Sequence, residues 1–291
     1  MIVDDGSSDA TPKILERWRR RIPRLRVVRR EEDAAGGNKK RAMEAGIAAA
    51  SHALLAFTDA DCEPPPAWLE TLAGLHASYA RPSVLVGYSP FRSSGNSLLA
   101  LAARYETFVT GVLTAGAAGL GIPYMAVGRN LSYPASVFEV VGGFRPIMHS
   151  MSGDDDLFVQ EVVRRSAAVV RAVMDPASFV PTQAPTTWRA WLRQKRRHAS
   201  AGRFYSARSQ AALALFHGSN IIVWIAPVFL GWMGAALLGT RLAVQFAALR
   251  SAAHRLGEET LLPVQPLMEA IYLLYTTLAA PSAMLFAPRR W

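Results

Sequence analysis

Cysteine is nearly absent: Cys62 is the single one among 291 residues. That excludes an internal disulfide framework and fits a reducing compartment. Acid is the scarcer charge, with 22 Asp and Glu against 32 Lys and Arg, for a formal net charge of +10. The opening MIVDDGSSD has no basic stretch followed by an apolar run, so it does not read as a secretory signal. Internal repeats and long low-complexity tracts are also missing. Most telling is a local lack of charge. From Gly218 to Thr240, GSNIIVWIAPVFLGWMGAALLGT, no residue is charged, which predicts a membrane span over 218–240. Between Thr260 and Pro288 the one charged residue is Glu269, and this predicts a second span over 261–287, with Tyr272 and Tyr275 as interface anchors.

What is present surrounds those gaps. Hydrophobic residues make up 51% of the chain. The positive charge is densest just ahead of the first apolar run, in WRAWLRQKRRHASAGRFYSAR, Trp188 to Arg208. Basic residues beside a span mark its cytoplasmic side and attract anionic headgroups. Trp188, Trp191, Leu192 and Phe204 supply apolar material for the interface. No nucleic-acid-binding signature accompanies the charge, so a membrane is the expected partner and nucleic acid is not.

The first half alternates strand-like and helix-like stretches. A strand end at IVDD is followed by a Pro-started helix, TPKILERW. LRVVRR and ALLAFTDAD read as strands, with a helix in NKKRAMEAGIAAAS between them. PAWLETLAGLHASY and PSVLVGYSP continue the pattern. This order predicts an α/β fold with ligands at the carboxyl ends of the strands. Two acidic clusters, Asp4-Asp5 and Asp59-Asp61, stand at such ends. If the backbone stays extended through Asp59 and Asp61, both carboxylates share one face, as a common cation requires. A plain turn that ends a buried strand uses the same residues, and that reading stays open from the stretch alone. Asp154, Asp155 and Asp156 begin another helix. Capping explains one or two of them, while three in a row repel unless a cation or proton is shared.

Taken in order, VDDGSSD, FTDADC, GRNLSY with VGGF, SGDDDLF and QKRRH resemble glycosyltransferase family 2, the inverting GT-A enzymes that use nucleotide-sugar donors. The nearest likeness is to membrane-bound members such as ceramide glucosyltransferase-like and poly-N-acetylglucosamine or cellulose synthase-like enzymes. The resemblance implies that Asp4 and Asp5 receive the uracil and ribose of a UDP-sugar. Lys39 or Lys40 then approaches the diphosphate, and Asp59 and Asp61 hold Mg²⁺ or Mn²⁺. Asp154 or Asp155 is implied as general base toward a lipid or glycan acceptor. QKRRH resembles the family's Q-x-x-R-W, so Gln194 and Arg197 are expected at the leaving diphosphate. His198 replaces the family's tryptophan, and Arg129 and Asn130 of GRN join it on the acceptor side. The implied layout is a catalytic domain over residues 1–187, a basic interface segment over 188–210 and a membrane region over 211–291. The catalytic domain is expected at the cytoplasmic face of a bacterial inner membrane.

The sequence departs from the family at its start. Members open with a strand, a PxxNE-like turn and a helix before the DDGS strand, whereas this sequence opens inside that second strand. The expectation is therefore a GT-A sheet lacking its first unit, in either an active enzyme or a membrane-anchored remnant that keeps the motifs. A phosphatase-type use of DxD is disfavoured, because Cys62-Glu63-Pro64 follows where a small-residue turn is needed. Two or three spans are few for a polymer channel, which favours transfer of single sugars to a lipid.

Overall fold

The structure, a computed structural model, describes residues 1–30, 38–92 and 95–279. In chain order the elements are β1 (Ile2–Asp5), α1 (Thr11–Arg21), β2 (Val27–Arg30), α2 (Lys39–Ala48), β3 (Leu54–Phe57), α3 (Trp68–Ser78), β4 (Ser83–Gly87), β5 (Phe91–Arg92) and α4 (Leu98–Gly119). They continue with β6 (Leu131–Pro134), α5 (Ala135–Val141), α6 (Asp156–Arg165), β7 (Val169–Val173), β8 (Thr182–Gln183), α7 (Trp188–Ala199), α8 (Ala207–Leu230), α9 (Trp232–Leu256) and α10 (Gln265–Leu274).

The expected alternation of strand and helix is present, but the sheet is in pieces. β1 and β2 form a parallel pair. The main sheet has the order β3-β6-β4-β7, with β6 antiparallel to both neighbours and β4 parallel to β7. A third pair, β5 with β8, lies apart. Among the described residues β1 is paired with β2 alone and β3 with β6 alone, so the two sheets share no ladder. β4, SVLVG, lies between two partners and is buried along its whole length, which is why it reads as a continuous apolar run.

Two cores hold the layers. One packs β3, β4 and β6 under α5 and α6 through Leu55, Val86, Tyr133, Phe144 and Phe158. The other joins α4 to α9 and α10 through Tyr105, Phe108, Leu256, Met268 and Tyr272. α4 is long and apolar enough to cross a membrane, yet more than half of its most apolar stretch is covered by protein. That cover comes from α9 and α10.

The membrane expectations need correction. The stretch 218–240 is two helices, because the chain reverses at Gly231, whose φ of +56° favours glycine. Hydropathy does not encode that reversal. The expected span 261–287 holds the short α10 and a π-helical turn to Ala279, and its remainder lies outside the described residues. α7 differs as well. Trp191 is buried against Phe91, Leu99 and Ala103, and Lys195 also points inward, so the apolar side of this helix covers the catalytic body instead of lying in an interface.

Asn130 is fully buried, and its side chain ties three segments. Its Oδ1 accepts from Trp68 Nε1 at 3.0 Å, and its Nδ2 donates to the carbonyls of Tyr88 and Ser178 at 2.9 and 2.8 Å. A side chain on Gly87 would stand 2.2 Å from that amide, so glycine is required opposite it. The acceptor role expected for Asn130 is therefore replaced by a structural one, because its hydrogen-bonding groups are committed inside the protein. Removing them leaves buried groups unpaired, and Asn130→Ala is expected to lower unfolding free energy by on the order of 3 kcal/mol in urea denaturation.

Candidate active site

α2 begins at an N-cap, Asn38, whose side chain accepts the Lys40 N–H at 3.0 Å. Asn38 N–H in turn donates to Asp5 Oδ2 at 3.1 Å, which anchors the helix start to the end of β1. Lys39 and Lys40, adjacent on a helix, must then point about 100° apart. Lys39 turns toward the strand ends, where its Nζ lies 3.1 Å from Asp59 Oδ1 and 3.1 Å from Asp154 Oδ2. Burial works against its charge, but the carboxylates of Asp154, Asp59 and Asp155 outweigh that and hold the ammonium well above its ordinary pKa. Lys40 turns inward and is fully buried, donating to the carbonyls of Ser150 and Ser152 at 2.5 and 2.9 Å. Its burial lowers its pKa. The donor-binding expectation for Lys40 is thus corrected: it fastens the loop ahead of the three aspartates.

Those aspartates have separate tasks. Asp156 is locked, accepting Ala126 N–H at 3.0 Å and the Tyr205 hydroxyl at 2.5 Å, and burial pushes its pKa well up. Asp155 caps α6 by accepting its neighbour's N–H at 2.8 Å and also accepts Gly128 N–H at 2.9 Å. Burial and the nearby Asp154 charge raise its pKa to about 6, although Lys39 and the N–H donors oppose that. Asp154 Oδ2 is paired with the Lys39 ammonium and has no other partner among the described residues. Capping thus accounts for one carboxylate and a buried bolt for another, and the third is left at the site.

At β3 the backbone does not stay extended through Asp59 and Asp61. A turn follows Asp59, closed by Cys62 N–H to the Asp59 carbonyl at 3.2 Å. The alternation that would put both carboxylates on one face is therefore broken. Asp59 points to Lys39, whereas Asp61 is exposed, with the Cys62 thiol 3.6 Å from its Oδ1. Among the described residues no three His, Cys, Asp or Glu side chains gather as a ready cage. Two carboxylates completed by donor phosphates are still the usual setting for Mg²⁺, so the residues present fit a cation that binds together with its nucleotide.

Asp4 and Asp5 stand at the end of β1 and do not line the cavity below. Asp4 is buried, accepts Ser7 N–H at 3.0 Å and lies 3.8 Å from Arg29. Its role as a donor contact is corrected to that of a turn anchor. Asp5 pairs with Arg30 and with Asn38, and remains partly exposed.

A single cavity of about 290 Å³ collects the rest: Lys39, Asp59, Arg129, Asp154, Asp155, Gln194, Arg197 and His198. Arg129 reaches it while donating to the Ser89 carbonyl at 2.9 Å. Gln194 Oε1 there has no hydrogen-bond partner. His198 keeps accessible surface on the cavity wall, and its surroundings together with the charges of Lys195 and Arg197 hold its pKa well below the usual histidine value. Not foreseen were Lys195, which forms a buried pair with Glu106 of α4, and the wall formed by His217, Tyr272 and Tyr275. The available signal was Glu106, one of two charges in an otherwise apolar helix.

Comparison with known proteins fits this geometry. Residues 1–130 match the family model described as Glycosyl transferase family 2. The matched portion contains β1 to β5, Asp59 and the GRN stretch. The beta-monoglucosyldiacylglycerol synthase of Synechocystis is 39% identical over 77 residues, covering 26% of this chain and 16% of that protein. A probable glycosyltransferase of Bacillus subtilis, YdaM, is 23% identical over 205 residues, covering 70% and 47%. The chain therefore spans less than half the length of these curated relatives. The mannosyltransferase PcManGT from Pyrobaculum calidifontis, solved with GDP-Man and Mn²⁺, superposes with a TM-score of 0.54 at 17% identity, covering 94% of this chain and 77% of that one. The shared fold is GT-A.

The two neighbouring lysines differ in their effect on binding. Lys40→Met leaves two buried carbonyls unpaired and is expected to lower stability by roughly 2–4 kcal/mol. Lys39→Met strands the carboxylates of Asp59 and Asp154 and should also lower the melting temperature, but unlike Lys40→Met it should remove nucleoside-diphosphate binding as well. Paired calorimetric scans and titrations check both outcomes.

Proposed function

We propose that the chain is an inverting glycosyltransferase that moves a sugar from a nucleotide-diphosphate donor, a UDP-sugar, to a lipid hydroxyl at the cytoplasmic membrane surface. The observation that carries this reading is the single cavity in which Lys39, Asp59, Asp154, Asp155, Arg129, Gln194 and Arg197 meet. Cations, an amide carbonyl and carboxylates share its lining, with the Lys39 ammonium between Asp59 and Asp154.

The donor diphosphate lies against Lys39, Arg129 and Arg197, whose guanidinium forks suit paired phosphate oxygens. Asp59 would hold a divalent cation there together with the donor phosphates, and the cation would offset the charge developing on the departing diphosphate. The acceptor hydroxyl meets Asp155. This carboxylate is chosen over Asp154 because a base works best with a pKa near the operating pH, and Asp155 is raised to about 6 whereas Asp154 is ion-paired with Lys39. Asp155 takes the hydroxyl proton as the oxygen attacks the anomeric carbon in line, the bond to the diphosphate breaks, and the configuration inverts. His198, uncharged, can hydrogen-bond an acceptor without repelling the cations beside it.

A lipid acceptor is supported by the far end of the cavity, where Leu213, His217, Tyr272 and Tyr275 come from the apolar C-terminal helices. The name of the Synechocystis relative, a glucosyldiacylglycerol synthase, agrees with that chemistry. The test is to incubate the protein with labelled nucleotide sugars, Mn²⁺ and diacylglycerol vesicles and to extract the lipids. Metal-dependent label in the lipid fraction supports the reading, and label released only to water, or none, contradicts it.

Asp155→Asn is expected to keep donor affinity while transfer falls by about 10²–10⁴-fold, as for loss of a general base. If Asp154→Asn alone has that effect, the base is one residue upstream. Because the base must be deprotonated, wild-type transfer should fall as pH drops through about 6. Below that the rate should decline about tenfold per pH unit. A flat rate down to pH 4 would remove Asp155 from the role.

A further inference from the structure

α7 carries four cations in the five positions from Arg193 to Arg197, with Gln194 among them. By composition any of these cations could face the cavity. At about 100° per residue, however, Arg189, Arg193 and Arg196 fall on one strip of the helix, and all three are exposed. Gln194, Arg197 and His198 fall on a second strip, which lines the cavity. Trp191 and Lys195, one turn apart, make a third that faces the body of the protein. They are 2% and 8% accessible.

This inward strip meets α4. Trp191 packs with Leu99 and Ala103, and Lys195 pairs with Glu106. Leu99, Ala103 and Glu106 are spaced i, i+4 and i+7, so they lie in one line along α4. The indole contact holds α7 against that line, but an apolar contact is non-directional and leaves its rotation loosely set. An ammonium–carboxylate pair is directional. Glu106 is only 7% accessible, and its other hydrogen bonds come from Thr107 and Thr110 of its own helix, at 3.5 and 3.3 Å. Lys195 is therefore its tie to α7. Lys195 Nζ lies 6.0 Å and the Arg129 guanidinium carbon 5.5 Å from the centre of the Phe91 ring. Two cations sharing a ring repel, and the Glu106 carboxylate beside Lys195 offsets that.

A buried ion pair adds little stability, because desolvation takes back most of the attraction, but it disfavours arrangements that leave a charge unpaired. Turning α7 by one residue in one direction would set Gln194 against Glu106 and strand the carboxylate. Turning it the other way would bring Arg196 inward, with five N–H donors to satisfy in place of three. That turn would also carry both Gln194 and Arg197 onto the outer strip.

We infer that Glu106 and Lys195 are positioning residues: their buried pair sets the rotation of α7 about its axis, so that Gln194 and Arg197 line the cavity while Arg193 and Arg196 stay outside. The consequence for a leaving diphosphate rests on the function proposed above. The rotation does not.

To test it, the full chain carrying Cys62→Ser receives a single cysteine, Arg196→Cys on the outer strip or Gln194→Cys on the cavity strip. Rates of maleimide labelling are compared in detergent. With the native pair, Arg196→Cys should label faster. Glu106→Gln combined with Lys195→Met removes both charges and strands neither, so the melting temperature should stay near that of the wild type. The ratio of the two labelling rates should nevertheless fall toward one. In chains without the added cysteine, affinity for UDP with Mn²⁺ should fall by on the order of tenfold, as for one lost hydrogen bond to a charged group. The exchanged pair, Glu106→Lys with Lys195→Glu, should restore both the ratio and the affinity. An unchanged ratio in the uncharged variant, or an exchanged pair that behaves like the uncharged one, overturns the proposal. A ratio that falls while UDP affinity holds supports the positioning role and removes Arg197 from the diphosphate, so the two readings fail separately. If the uncharged double variant does not fold, Glu106→Gln alone repeats the measurement.

Discussion

Lys39 Nζ lies 3.1 Å from Asp59 and 3.1 Å from Asp154, and the end of β3, the start of α2 and the loop before α6 meet at that one ammonium group. Two carboxylates facing each other across a partly buried cleft would repel, and the cation between them lets both approach. It also gives the site a resting state. In the proposed reaction Asp59 would hold the divalent cation that accompanies a nucleoside diphosphate, and Lys39 would then be free to meet the phosphates. The side chain that stabilises the empty cleft would on that reading also recognise the donor. Its neighbour Lys40 makes this possible by fixing the Ser150–Ser152 loop from below.

Hydrogen bonds around this point divide the acidic residues by task. Asp4, Asp5 and Asp156 are held by N–H, guanidinium or hydroxyl donors. Asp155 is capped too, yet burial beside Asp154 leaves its pKa raised. A buried carboxylate that remains hard to ionise and faces a cavity is suited to accept a proton near neutral pH. Arg129 and Arg197 add positive charge to the same cavity, as an anionic ligand such as the proposed diphosphate would require.

Much of this was legible in the sequence, because acidic clusters at strand ends and an uncharged apolar run are one-dimensional signals. The order of β and α segments follows from them, and the resemblance of five ordered motifs to glycosyltransferase family 2 implied Lys39, Asp59, Asp154, Asp155, Gln194 and Arg197 at one site, residues that the structure brings together in one cleft. What escaped depends on direction. Lys39 and Lys40 are indistinguishable in a string but diverge on a helix. Asp59 and Asp61 share a face only if the strand continues, and a turn intervenes. The break at Gly231 is silent in hydropathy because a reversal inside an apolar run leaves its composition unchanged. Asn130 looked like a ligand contact since its motif lies beside the site, yet its amide is consumed by Trp68, Tyr88 and Ser178.

The most direct measurement is a crystal structure of the chain with UDP and Mn²⁺, with the metal located by its anomalous signal. The nucleotide is expected in the cavity with the metal signal at Asp59, with Lys39 Nζ moved from Asp59 to a phosphate oxygen while Arg197 contacts the same group. Nucleotide bound away from the cavity, or Lys39 still spanning Asp59 and Asp154 with the diphosphate in place, would contradict it.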